Sequence, residues 1–203
     1  MLAFVARAVG VRDGARVALP PSGALGWTTR LRLVSKFVGA THLQPRGASV
    51  LSRVDSLPAV ARPGDHIAVL GPSAPVWHHG ILADSSHVFD LYGACKQSAV
   101  VSRRSIPDFL QGVTAAAIVH YPDDDDGFRL LTLSLAEAYS TSKLNRKGQY
   151  DAVRRNCESF ATWCRSTQWA SHQSQIMQSC ALARSMGMWI TLLHMLNALA
   201  SSA

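Results

Sequence analysis

The sequence predicts an α+β domain in which an antiparallel sheet packs with helices. Three observations carry this. Short apolar runs bounded by Gly, Pro and Asp fall between residues 61 and 121, two of them flank an Asp84-Ser85-Ser86 turn as a hairpin requires, and good helix formers follow the aspartate run at Asp123 to Asp126. At 203 residues and 48% hydrophobic content the chain can close a core without staples.

Ala61-Arg62-Pro63-Gly64-Asp65 leads into His66-Ile67-Ala68-Val69-Leu70, which Gly71-Pro72 stops, giving a first core strand. Val76 to Ala83 and His87 to Gly93 form the hairpin, and strand alternation puts His78 and His79 on opposite faces. Ile106 to Gly112 reads as a short helical turn closed by Gly, and Thr114 to Tyr121 as another strand. Leu130 to Tyr139 reads as a helix. Tyr150 to Ser166 reads as a second, with Cys157, Phe160, Ala161 and Cys164 at i, i+3, i+4 and i+7 on one face. The adjacent aspartates lack the alternate spacing and Gly turn of a calcium loop and read as solvated.

The formal charge of +7 is concentrated at one end. Arg7, Arg12, Arg16, Arg30, Arg32, Lys36, Arg46 and Arg53 face Asp13 alone within residues 1–54, so the remainder of the chain is neutral. Residues 1–54 therefore read as a basic N-terminal extension: an organelle-targeting peptide, a strip that settles on anionic lipid, or a solvated basic face. Few aromatics interleave with these charges, which argues against nucleic acid as a partner. Cys95, Cys157, Cys164 and Cys180 show neither CxxC nor zinc-ribbon spacing, so free thiols in a reducing, intracellular setting are expected. No cofactor motif and no obligate protein partner is evident. Residues 55–178 are read as the working domain and 179–203 as a C-terminal amphipathic segment, with Thr191, His194 and Asn197 opposite Trp189, Leu192, Leu193, Leu196 and Leu199, suited to a core or to a membrane surface.

A reactive thiol needs help to ionise near neutral pH. A helix N-terminus and a nearby imidazole both supply it. Asn156-Cys157-Glu158 offers the first if Asn156 caps the helix, and the same helix end could hold an oxyanion, which makes Asn156 and Glu158 cap or oxyanion candidates. His78, His79 and His87 are the candidate bases. With no bulge in the hairpin, positions summing to 170 lie opposite one another, which makes Asp90 a diagonal neighbour of His78 and the group that would orient it. A zinc site from His78, His79, His87 and Asp90 is disfavoured because adjacent strand histidines point apart. Taken alone, a helix Cys is more often a small core residue and a strand His more often structural.

The strings Pro63-Gly64-Asp65-His66-Ile67, His78-His79-Gly80-Ile81 and Asn156-Cys157-Glu158-Ser159-Phe160-Ala161-Thr162-Trp163-Cys164 resemble the lecithin retinol acyltransferase-like family, with its H-box and NCE motif, over about residues 58 to 175. The resemblance implies a fold similar to a circularly permuted papain-like core. It also implies Cys157 as a nucleophile that takes an acyl group as a thioester, His78 as general base, and a phospholipid or other acyl donor met at a membrane surface. Two departures stand out: Asp90 where the family often has a second His, and Leu82 where it has a Tyr. The function expected is a thiol-dependent lipid acyltransferase or phospholipase, against a papain-like amidase or cysteine peptidase, or a catalytically vestigial membrane-associated adaptor.

Overall fold

The computed structural model describes residues 43–71, 76–179, 181, 182, 185 and 187. The strands are β1 (Ala48–Val50), β2 (His66–Leu70), β3 (Trp77–Leu82), β4 (His87–Tyr92), β5 (Val100–Ser105) and β6 (Ala115–Val119). The helices used below are α1 (Leu57–Val60), α2 (Ile106–Phe109), α3 (Asp126–Thr141) and α4 (Cys157–Ser166), with a further helical stretch over 172–179. Among the described residues the strands make one antiparallel sheet in the order β1-β6-β2-β3-β4-β5. The α+β class is thus observed.

Strand β2 sits between β6 and β3 and is covered on both faces, which explains its unbroken apolar run. One face of the sheet carries Ile67, Val69, Leu82, Val88, Ala116 and Ile118 against Leu57, Ile106 and Phe109 of α1 and α2. The other carries Ile81, Phe89, Leu91 and Val101 against Ala136 and Tyr139 of α3 and Phe160, Ala161 and Cys164 of α4. This is the period of two in β3 and β4 expressed as two cores. Phe160 is fully buried, and cutting it to Ala would cost about 3 to 5 kcal/mol in lost burial and cavity formation.

Several elements differ from the sequence expectation. Strand β1 and buried Leu43 lie within the first 54 residues, so the folded unit reaches back into the stretch set apart as an extension. Strand β5 went unread. Helix α3 begins at Asp126, before Leu130, because Asp125 caps it: its Oδ1 accepts from the Phe128 N–H at 2.8 Å. The aspartate run is therefore not a plain solvated loop. Asp124 pairs with Arg129 at 3.2 Å and Arg165 at 3.0 Å, and Arg129 continues to Asp65 at 2.7 Å, tying α3, α4 and the approach to β2 together. Gly64 lets that approach pass, since a Cβ there would stand 2.1 Å from the Arg129 carbonyl oxygen.

Helix α4 starts at Cys157, not at Tyr150. The Asp151 carboxylate accepts from the N–H groups of Val153 at 2.7 Å and Arg154 at 2.9 Å, folding 151–155 into a turn before Asn156. The amphipathic reading of the C-terminal segment lies outside the described residues apart from 179, 181, 182, 185 and 187. Among the described residues no helix is long and apolar enough to cross a membrane.

Candidate active site

Cys157 is the first residue of α4. The Asn156 Oδ1 accepts from the Ser159 N–H at 2.8 Å, and the Ser159 hydroxyl returns the contact by accepting from the Asn156 N–H at 2.8 Å. The cap uses only the third amide of the helix. The N–H groups of Cys157 and Glu158 stay at its positive end, where no carbonyl of the helix can reach them.

The sequence offers both Asn156 and Glu158 as oxyanion or cap candidates, and the two side chains have separate partners. Asn156 caps; its Nδ2 donates to the Ala152 carbonyl at 2.9 Å and to the Ser171 and Ser174 hydroxyls at 3.1 and 2.8 Å. The Glu158 carboxylate is 5% exposed and accepts from the Ser171 hydroxyl at 2.5 Å and the Gln173 N–H at 3.0 Å. Its charge is spent fastening residues 171–174 onto α4, and a carboxylate could not donate to an oxyanion in any case. Backbone amides remain as the donors this helix end can offer.

The hairpin register is the one the unbulged loop requires: Gly80↔Asp90, Ile81↔Phe89, Leu82↔Val88. The Asp84 Oδ1 sets the turn by accepting from the Ser86 N–H at 2.7 Å. Asp90 is fully buried, and its Oδ2 lies 2.7 Å from the His78 Nε2 along the sheet diagonal. Gly80 keeps that diagonal open. A Cβ there would stand 2.6 Å from the Val88 Cγ2, 3.0 Å from the Phe89 carbonyl oxygen and 3.3 Å from the Asp90 Cβ. The carboxylate accepts the Nε2 proton, which leaves Nδ1 as the basic nitrogen.

His78 is 29% exposed and has the Cys157 side chain beside it as the strongest influence raising its pKa. Burial favours its neutral form. The neighbouring Cys157 side chain and the Asp90 carboxylate outweigh burial together and raise its pKa to about 10, so His78 is an imidazolium at neutral pH. The two residues line one cavity of about 210 Å³ with Leu91, Gly93, Ala99 and Tyr150. On its other side His78 lines a cavity of about 430 Å³ with Arg104, Asp108, Phe109 and Gln111, and Tyr92 borders both.

His79 points to the opposite face, fully buried, with its Nδ1 2.8 Å from the His66 Nε2 and its Nε2 2.8 Å from the Gln173 Nε2. His87 stands at the far end of the hairpin, 3.1 Å from the Asp84 Oδ1. The three histidines therefore have three separate surroundings, and only His78 meets the thiol. Cys95, Cys157 and Cys164 are free thiols, and burial pushes Cys164 up, as suits a core residue.

Sequence reasoning missed Arg104 and Gln173. Arg104 lies opposite Val88 and places its Nη2 2.7 Å from the same Asp90 oxygen that meets His78. Reading Val100 to Ser105 as a strand antiparallel to β4 would have found it. Gln173 has no local signal.

The family model for lecithin retinol acyltransferase matches residues 59–170, more than half of the chain and the whole stretch from β2 to α4. The chain belongs to this family. A search of curated proteins finds no match. Lecithin retinol acyltransferase membership brings with it acyltransferase-type thiol chemistry in general.

Proposed function

We propose that this chain is a thiol-dependent lipid acyltransferase or phospholipase working through an acyl thioester on Cys157. One observation carries the proposal: the thiol at the start of α4 lines one cavity with an imidazole that a buried carboxylate holds at 2.7 Å.

The Cys157 thiolate attacks an ester carbonyl of a phospholipid. The Cys157 and Glu158 amides face the oxyanion that forms, and the helix dipole adds to their effect. His78, as imidazolium, gives its proton to the departing alcohol while Asp90 keeps the ring in place. The neutral imidazole then takes a proton from water, for hydrolysis, or from an alcohol or amine acceptor, for transfer, as that oxygen or nitrogen attacks the thioester and frees Cys157. An insoluble donor has to be met at a membrane surface, for which the basic residues 1–54 and the amphipathic C-terminal segment are suited; the protein is then intracellular and membrane-associated.

The test is to incubate the protein with a fluorescent-acyl phosphatidylcholine. A hydroxylamine-sensitive adduct is expected on the wild type and none on Cys157→Ala; no adduct on the wild type, or the same adduct on both, overturns the proposal. A cysteine amidase or peptidase is the second reading, favoured by the polar wall of Arg104, Asp108 and Gln111 in the 430 Å³ cavity beside His78. Turnover of peptide amides in place of phospholipid esters would select it.

A further inference from the structure

Asp90 presents a problem of charge. It is fully buried, and an isolated carboxylate in that position would be costly. His78 cannot balance it throughout, because a base gains and loses its proton during each cycle. Arg104 can, since a guanidinium stays charged in proteins.

The geometry fits that division of labour. His78 and Arg104 reach the same Asp90 oxygen, each at 2.7 Å, from opposite diagonals of the sheet, His78 from β3 and Arg104 from β5. Two donors converging from either side fix the plane of the carboxylate more tightly than one. Arg104 is itself held: its guanidinium lies 4.1 Å from the Tyr92 ring centre and 5.5 Å from that of Phe109, and its side chain is 17% exposed. The other titratable or charged groups around the cluster are Cys157 from α4, Tyr92 from β4, Asp108 from α2, and Cys95, Lys96 and Tyr150 on the wall of the smaller cavity.

We propose that Arg104 is a positioning residue for the proton transfer, holding Asp90 in the orientation that fixes the His78 ring and supplying a charge that stays constant while that of His78 changes. This rests on the assignment of Cys157 and His78 as nucleophile and base. Arg104 touches neither the thiol nor the reacting carbonyl; it acts through Asp90.

The test uses the full chain and iodoacetamide at neutral pH, with alkylation of the Cys157 peptide followed by mass spectrometry. Iodoacetamide transfers an alkyl group, not an acyl group, to sulfur with loss of iodide, so a failure of the lipid reading leaves this result untouched. Arg104→Gln is expected to slow alkylation of Cys157 about tenfold, with Cys95 unchanged in the same sample. Arg104→Lys, which keeps the charge, is expected to recover most of the rate. Adding Arg104→Gln to Asp90→Asn is expected to slow the reaction no further than Asp90→Asn alone. A wild-type rate in Arg104→Gln overturns the proposal, and so does a double variant whose slowing is the product of the two single effects. Should Arg104→Gln fail to fold, Arg104→Met takes its place with the same expectations.

Discussion

The Gln173 Nε2 lies 2.8 Å from the His79 Nε2, and this contact sets the direction of a hydrogen-bonded chain through the core. The backbone of Trp77 orients the amide: its Oε1 accepts from the Trp77 N–H at 2.7 Å and its Nε2 donates to the Trp77 carbonyl at 3.0 Å. His79 must therefore accept at Nε2 and donate from Nδ1 to His66, 2.8 Å away, and His66 must donate from Nδ1 to the Tyr121 hydroxyl, 2.7 Å away. Each histidine is neutral. Burial brings His79 down to about 3 and, with His79 beside it, His66 well below its ordinary value.

Neutral buried histidines make the fold acid-sensitive. Below the ordinary value of 6.5 the unfolded chain takes up protons that the folded chain refuses until about pH 3, so stability is fully present above 6.5 and lost as the pH falls through that window. Urea unfolding midpoints measured at successive pH values should decline from about 6.5 downward. A midpoint that stays level across the window would contradict the neutral chain.

His78 has the opposite sign. Its raised pKa means that the stability it contributes is complete below 6.5 and is lost as the pH rises through about 10. Cys157→Ala removes the strongest of the influences raising it, while burial, which lowers it, remains. An NMR titration should show the His78 ring losing its proton at a lower pH in Cys157→Ala than in the wild type; an unchanged titration would separate the two residues.

Asp90→Asn keeps the shape of the site and removes the charge that fixes the ring. An amide can present its N–H to Nε2, which selects the wrong tautomer and leaves Nδ1 protonated. Acyl-adduct formation should fall by about 100-fold or more, with the melting temperature as a control on folding. Adduct formation at the wild-type rate would remove Asp90 from the mechanism.

Gly80→Ala tests the open diagonal. The new methyl group would meet the Val88 side chain, the Phe89 carbonyl and Asp90 together, at a cost of about 1 to 3 kcal/mol in chemical unfolding and with slower adduct formation. If both quantities match the wild type, the space opposite Asp90 is not what aligns it.

Asn156→Ala removes the cap of α4 and, with it, three side-chain donations to Ala152, Ser171 and Ser174. The cap alone is worth about 1 to 2 kcal/mol. A loss of this size or larger in denaturant unfolding is expected; a loss of a few tenths would show that the helix start is held by other means.

The hairpin and its register were legible because the needed information is local. Alternation assigns faces, Asp84-Ser85-Ser86 sets the turn, and the diagonal from His78 to Asp90 follows by counting. The start of α4 was misread because apolar spacing continues through Tyr150, while the turn that stops it depends on one Asp151 carboxylate gathering two amides. The aspartate run reads as a solvated loop although Arg129 follows within a turn; its second partner, Arg165, comes from another helix. Gln173 joins His79 across 94 residues of chain, and no pattern in either neighbourhood points to the other.

Ser171, Gln173 and Ser174 lie beyond residue 170, where the family match ends, yet they complete the bonding of Asn156, Glu158 and His79. A fragment stopping at that boundary would lose these protein partners and open the Glu158 carboxylate and the His79 imidazole to water. The bonded unit is therefore longer than the stretch the family model matches, and it reaches residue 174.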